Sequence, residues 1–282
     1  MSQQEHGLII AGCRRAAVSG DTFEVLCPET EQALARVARA DAADVELAVS
    51  AARDGYSTWS ALAPKEREAA LLAAADLVAT EGETRFLDTL IDESGSAITK
   101  ARFEINYTVD LLRTAAGEAR RLYGDTFPND HPERVSMVFR EPMGVVAIVS
   151  PYNAPLSLLT KMSAFPLAAG NSIVIKPSEE TPLIALAFAD LLVEAGIPAE
   201  AINVVTGFGA ECGDQLVDRL LEAGHTVGFE LGRHLVIVDA DAGECLPHRA
   251  IVVDVDIDAS GQGAVVSERL QGGVGQGVDR VR

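Results

Sequence analysis

The chain has 282 residues, 48% of them hydrophobic and 23% charged, the proportions of a soluble globular protein long enough to bury a substantial core. Its 42 acidic and 23 basic residues give a formal charge of −19, which repels phosphate backbones and anionic lipid and so argues against nucleic-acid or membrane binding. Four scattered cysteines, Cys13, Cys27, Cys212 and Cys245, form no C-x-x-C pair. The expectation is free thiols in a reducing cytoplasm, with no metal site, no signal-peptide pattern in MSQQEHGLII and no apolar run of the ~18 residues a membrane span needs.

In chain order, LII, TFEVLC and ALARVA in the first forty residues read as short strands. Asp41 is placed to cap a helix over AADVELAVSAARDGY, and Pro64 to open a second at its first turn, PKEREAALLAAADLVATEG. Two further helical stretches follow, ETRFLDTLIDES and AITKARFEINYTVDLLRTAAGEARRLYG, then a strand in RVSMVFREP that stops at Pro142. Beyond it the pattern changes. GVVAIVS and SIVIK are short continuous apolar runs, as expected of strands buried on both faces, with a helix from Leu156 to Ala169 between them. Thr181 is read as the cap of PLIALAFADLLVEAG, which Gly196 and Pro198 stop. INVV is a third strand and Glu211 to Glu222 a third helix. This alternation predicts an α/β fold, a Rossmann-like parallel sheet preceded by a helical N-terminal region.

Such sheets bind ligands beyond the carboxyl ends of their strands. That rule selects Asn153 after the first strand, Lys176 ending the second and Gly207 after the third. Taken singly, each has a plainer reading: a polar turn residue before Pro155, a solvated KPSEE loop, and a glycine turn between strand and helix.

Together the segments EPMGVVAIVSPYNAPL, AAGNSIVIKPSEETP and AINVVTGFGAECG resemble the NAD(P)-dependent aldehyde dehydrogenase family, over roughly residues 7 to 216, with NAPL closest in look to members acting on aromatic aldehydes. The resemblance implies an aldehyde substrate, oxidation to the acid and a dinucleotide cofactor. By it, the Asn153 amide holds the oxyanion formed when a thiolate attacks the carbonyl. Lys176 and Glu179 grip the adenosine ribose, and Ser150, Pro151, Ser178, Gly207 and Gly209 complete the cofactor contacts. A carboxylate at 179 would repel a 2′-phosphate, so NAD is expected rather than NADP.

After Leu216 the resemblance fades. Glu230-Leu231-Gly232 matches the start of the family's E-L-G-G motif, which makes Glu230 the general base, although Arg233 replaces the second glycine. An equal alternative is a surface carboxylate beside a turn. Only thirteen residues, Val217 to Phe229, precede that glutamate, so a crossover segment is expected to be deleted. In SGQGAVVSERL, Ala264 stands where the family has its cysteine nucleophile. Ser267 lacks a positioned base, and Cys245 with His248 lies away from the family's position. Asp254, Asp256 and Asp258 alternate as in a calcium loop, but Ala259 and Val265 stand where its glycine and glutamate belong, so a strand with an acidic face is expected.

The domains expected are therefore 1–229, a cofactor-binding domain incomplete after about 216, and 230–282, a truncated remnant of a catalytic domain with a disordered tail. Two roles remain open: an impaired enzyme, or a non-catalytic nucleotide-binding remnant. Either could form a homo-oligomer or co-assemble with a full-length relative.

Overall fold

The computed structural model describes residues 5–128, 130–131 and 134–222, together with four strands at 227–231, 234–239, 249–257 and 264–271; side chains are described to residue 220. Five short strands come first: β1 (Glu5–His6), β2 (Leu8–Ile10), β3 (Cys13–Arg15), β4 (Thr22–Leu26) and β5 (Ala33–Ala38). Helix α1 (Ala42–Ser60) starts at Asp41 as expected. The Asp41 carboxylate accepts from the N–H groups of Ala43 and Asp44 at 2.8 and 3.3 Å, and the Asp44 side chain reaches back to the Asp41 N–H.

The two helices expected between Pro64 and Ser94 are one, α2 (Pro64–Ser94), of 31 residues. Gly82, which closes the first segment in the sequence, instead marks a close approach: a Cβ there would lie 2.7 Å from Cγ2 of Ile105 on α3 (Ile98–Glu118). The hairpin of β6 (Asp125–Phe127) and β7 (Ser136–Val138) follows.

The parallel unit is built from β8 (Val145–Ser150), α4 (Pro155–Ala169), β9 (Ser172–Pro177), α5 (Pro182–Glu194), β10 (Ile202–Val204), α6 (Asp214–Glu222) and β11 (Val227–Leu231). The third helix is shorter than expected, since Gly209–Gly213 forms a π-turn and the α-helix begins at Asp214. The thirteen residues before Glu230 hold the second half of α6 and the first three residues of β11. Helix α6 makes the crossover from β10 to β11, and the backbone of Glu230 lies on β11. Strands β12 (His234–Asp239), β13 (Arg249–Ile257) and β14 (Ala264–Gln271) extend the sheet antiparallel, which gives the order β14-β13-β12-β11-β8-β9-β10-β2-β3. Asp254 and Asp256 lie on β13, as the strand reading expected. Asp258, the Gly261–Gly263 turn, Gly232, Arg233, Cys245, His248 and the expected disordered tail after Gln271 fall outside the described residues.

The parallel strands alternate between two cores, because successive side chains leave opposite faces of a strand. Val146, Ile148, Ile173 and Ile175 face α4 and α5 with α2 and α3 behind them, whereas Val145, Ala147 and Val174 face α1 and α6. Among the described residues no helix is long and apolar enough to cross a membrane.

Helices α4 and α5 share an unusual start. Each has proline at its first position and a residue before it whose side chain makes no capping bond, Ala154 and Thr181. The expected cap at Thr181 does not form. Buried N–H groups at a helix start must still be paired, and glutamates from the helical layer pair them. Glu104 Oε2 on α3 accepts from the N–H groups of Leu156 and Ser157 at 3.2 and 3.3 Å, while its Oε1 takes an ion pair from Lys100 at 2.5 Å. Glu93 on α2 accepts from Leu183 and Ile184 at 2.5 and 3.0 Å. The far end of α4 is held by residues of α1 and α2. Trp59 Nε1 donates to the Leu167 carbonyl at 2.8 Å and Arg67 Nε to that of Ala168 at 3.2 Å.

Glu93 is 3% exposed, and burial pushes its carboxyl from 4.5 up to about 8, against the opposing pull of the two N–H groups. A pKa raised in the fold means stability that is complete below about 4.5 and lost as pH rises through about 8. His6, Arg14, Asp88, Asp92 and Asp190 line the same cavity of about 360 Å³, so the readout must be a difference. The Tm of Glu93→Gln relative to wild type is expected to move in the variant's favour from pH ~5 to ~8.5. A difference that stays flat across that window would show that Glu93 carries the same charge in both states.

Candidate functional site

Topology places the site before any side chain is considered. The chain runs from β8 through β9 to β10, then crosses by α6 to β11 on the other side of β8. The strand order therefore reverses between β8 and β11, and open α/β sheets leave a crevice at the carboxyl ends of such a pair. Ser150 ends β8 in register with Pro177 of β9, and Val149 is paired with Lys176. The pair Phe229↔Val149 sets Glu230 one residue further along β11, level with the end of β8. Asn153 lies in the exposed turn between β8 and α4, after half-buried Pro151. Folding thus brings Ser150, Pro151, Asn153, the Lys176–Glu179 loop and the backbone of Glu230 to one edge of the sheet.

Position 264 lies apart from that group. Ala264 opens β14 opposite Ile257, and three strand spacings, ~14 Å, separate β14 from β11.

The loop after β9 carries the best-defined chemistry. Lys176 is buried at 3% exposure because the strand end encloses its stem, and its ammonium meets Glu179 Oε2 at 3.1 Å. Burial acts to raise the Glu179 carboxyl, but its own backbone N–H and the Lys176 charge outweigh that and hold it below its usual value. Glu179 is therefore an anion at neutral pH with one face still open to solvent. Ser178, half-buried, accepts from the N–H of Glu180 through its hydroxyl at 3.3 Å and from that of Thr181 through its carbonyl at 3.2 Å, which closes the loop into a turn.

The glycine turn after β10 forms the adjoining wall. Gly207 is buried with φ +152°, and a Cβ there would come within 2.9 Å of Cys212 Sγ and 3.3 Å of the Ala40 nitrogen. Gly209 faces open space, with nothing within 4 Å of where a side chain would stand, and Gly213 lies against the Lys176 stem. Open space over Gly209, on the glycine turn whose Gly213 meets the buried Lys176, leaves room for a cofactor near an ionised carboxylate.

Some neighbours carry little signal in the sequence. Arg39, following β5, stacks its guanidinium 5.0 Å from the Phe208 ring centroid and forms a two-pronged ion pair with Glu211, one arm at 2.7 Å. The Phe208 ring also meets Phe23 at 5.2 Å. These contacts fasten the glycine turn to the first strands. Cys212 is buried beneath the turn, where desolvation pushes its thiol up to about 11 despite the nearby Lys176 charge.

Comparison with known proteins gives a consistent result. The sequence profile described as the aldehyde dehydrogenase family matches residues 15–222. A glutarate-semialdehyde dehydrogenase of Pseudomonas putida is 33% identical over 267 residues, covering 91% of this chain and 55% of its own length. A vanillin dehydrogenase of Pseudomonas fluorescens is 34% identical over 272 residues, with the same coverage. Among solved structures, an NAD-dependent aldehyde dehydrogenase of Sinorhizobium meliloti superposes with a TM-score of 0.75 at 31% identity, over 82% of this chain and 50% of that one. The chain spans about half the length of these relatives.

The crowding at Gly207 gives a direct test. Gly207→Ala is expected to lower stability by roughly 1–3 kcal/mol, since it places a Cβ against Cys212 and the Ala40 backbone at a strained φ. Chemical denaturation measures this, and an unchanged midpoint would mean that the turn is free to shift.

Proposed function

The chain belongs to the aldehyde dehydrogenase family, and on that premise we propose that it binds NAD at the carboxyl edge of its parallel sheet but is impaired in aldehyde oxidation. The observation that carries the reading is the Lys176–Glu179 pair beside the open space over Gly209, at the level of the strand-order reversal. Lys176 and Glu179 would take the adenosine ribose, Lys176 donating to a hydroxyl and Glu179 accepting from one. Ser150, Pro151, Ser178, Gly207 and Gly209 would border the rest. The anionic Glu179 would oppose a 2′-phosphate and so favour NAD over NADP. When bound, the dinucleotide supplies the hydride acceptor.

The substrate class under this reading is an aldehyde, with the Asn153 amide donating to its carbonyl oxygen and Glu230 taking a proton from water. Ala264 supplies only a methyl group at the nucleophile position, and a methyl has no lone pair with which to attack a carbonyl. Its place at the start of β14 also favours impairment. The second reading, a non-catalytic nucleotide-binding or subunit-partner chain, rests on the same two observations.

Titration calorimetry with NAD separates these readings from a chain with no cofactor site. Saturable binding is expected, weakened about tenfold by Lys176→Ala or Glu179→Ala, with NADP weaker than NAD. No heat from protein shown to be folded would overturn the assignment. Aldehyde-dependent NADH formation that Cys245→Ser abolishes would instead show an active enzyme using another thiol.

Association between copies is part of the proposal. Exposed Val135, Met137 and Phe139 alternate along one face of the β6–β7 hairpin, an apolar surface that water alone covers poorly. Light scattering is expected to report at least a dimer, which Phe139→Asp shifts towards monomer. A strictly monomeric wild type would refute it.

A further inference from the structure

We infer that Glu93 is a positioning residue for the nucleotide site: from α2 it fixes the first turn of α5 and, through it, the Lys176–Glu179 loop. The inference rests on the reading that this loop holds the adenosine ribose.

The loop is short. Pro177 ends β9 and Pro182 opens α5, so Ser178 to Thr181 are strung between two anchors. The sheet holds the first anchor through the pairs Val149↔Lys176 and Ser150↔Pro177. The second has no cap of its own, because the Thr181 side chain makes no capping bond and Pro182 has no N–H. Both free donors of that first turn, the N–H groups of Leu183 and Ile184, end on the two oxygens of Glu93, about ninety residues earlier in the chain.

Glu93 is itself held firmly. Helix α2 stops at Gly95, whose φ of +64° lets its N–H return to the Ile91 carbonyl at 3.0 Å, and the Ser96 N–H reaches that of Leu90 at 3.4 Å. The Glu93 side chain makes its hydrogen bonds to the first-turn N–H groups of α5, and as a buried acceptor it serves them whether or not it bears a charge. Its position is therefore explained by α5 and not by α2. Without it, two buried N–H groups lose their partners. The first turn must then tilt towards water or draw the Thr181 hydroxyl into the cap, and either movement displaces Glu179 relative to Lys176.

The test is NAD titration calorimetry of the full chain, with thermal melts on the same samples. Glu93→Ala is expected to weaken NAD about tenfold, and Glu93→Gln, which keeps one acceptor oxygen at the same place, about threefold. Leu90→Ala removes a fully buried side chain one turn earlier on α2 and is expected to lower the Tm at least as much while leaving NAD affinity within about twofold. In a Glu179→Ala background, Glu93→Ala should weaken binding no further, because the contact through which it acts is gone. Should Glu93→Ala fail to fold, Glu93→Gln carries the same cycle.

Equal losses of affinity in Glu93→Ala and Leu90→Ala would overturn the proposal, as would a Glu93 effect that persists in the Glu179→Ala background. Wild-type binding that the Glu93 variants leave unaltered would overturn it alone. Absence of wild-type binding would remove the nucleotide reading and the proposal together.

Discussion

Helices α4 and α5 begin buried, each behind a proline and a residue that does not cap it, so the free N–H groups of their first turns must find acceptors inside the protein. Glu104 and Glu93 provide them, and the placement of both helices depends on those four hydrogen bonds. An unpaired buried N–H costs a few kcal/mol, a large fraction of the stability of a domain. The α2–α3 layer is therefore part of the machinery of the sheet. Arg67 of α2, together with Trp59 of α1, donates to the carbonyls at the other end of α4.

The same bonds connect architecture to chemistry. The turn before α4 carries Asn153, and the loop before α5 carries Lys176 and Glu179. Each helix start is thus an anchor for the loop before it, and rigid anchoring of a loop fixes the geometry of the groups it carries. Lys176 and Glu179 show the outcome: a buried ammonium, a carboxylate held ionised, and 3.1 Å between them. The glycine turn reaches similar rigidity by other means, through the Arg39 clamp on Phe208 and Glu211 and the tight fit of Gly207 over Cys212.

Position 264 lies on the edge strand of the sheet, away from the turn that carries Asn153. The sequence around it keeps the glycine, glutamine and Ser-Glu-Arg of a nucleophile segment, but its residue is alanine and its strand is the outermost of the antiparallel extension. Reaction at a carbonyl requires attacking atom and oxyanion donor within a few Å of the same centre. Four strand spacings lie between β14 and the strand that leads to Asn153.

The alternation of strands and helices from residue 144 onward was legible in the sequence, because it depends on local facts: apolar runs such as SIVIK, and Pro and Gly punctuation around them. So was the location of Asn153, Lys176 and Gly207 at or just after the carboxyl ends of their strands, since that needs only strand boundaries. Sequence reading failed where the deciding partner is remote. The continuity of α2 through Gly82 depends on Ile105, and the failure of Thr181 to cap α5 depends on Glu93. One local signal did exist: an acidic residue in the last turn of α2, with no basic residue there, contradicts the helix dipole and points to a distant partner. What the amino-acid order determined by itself was which segments must be buried and where the chain must turn. Which side chain satisfies which buried group was decided only by tertiary structure, because a hydrogen bond between residues 52 or 90 apart has no periodicity for a sequence to display.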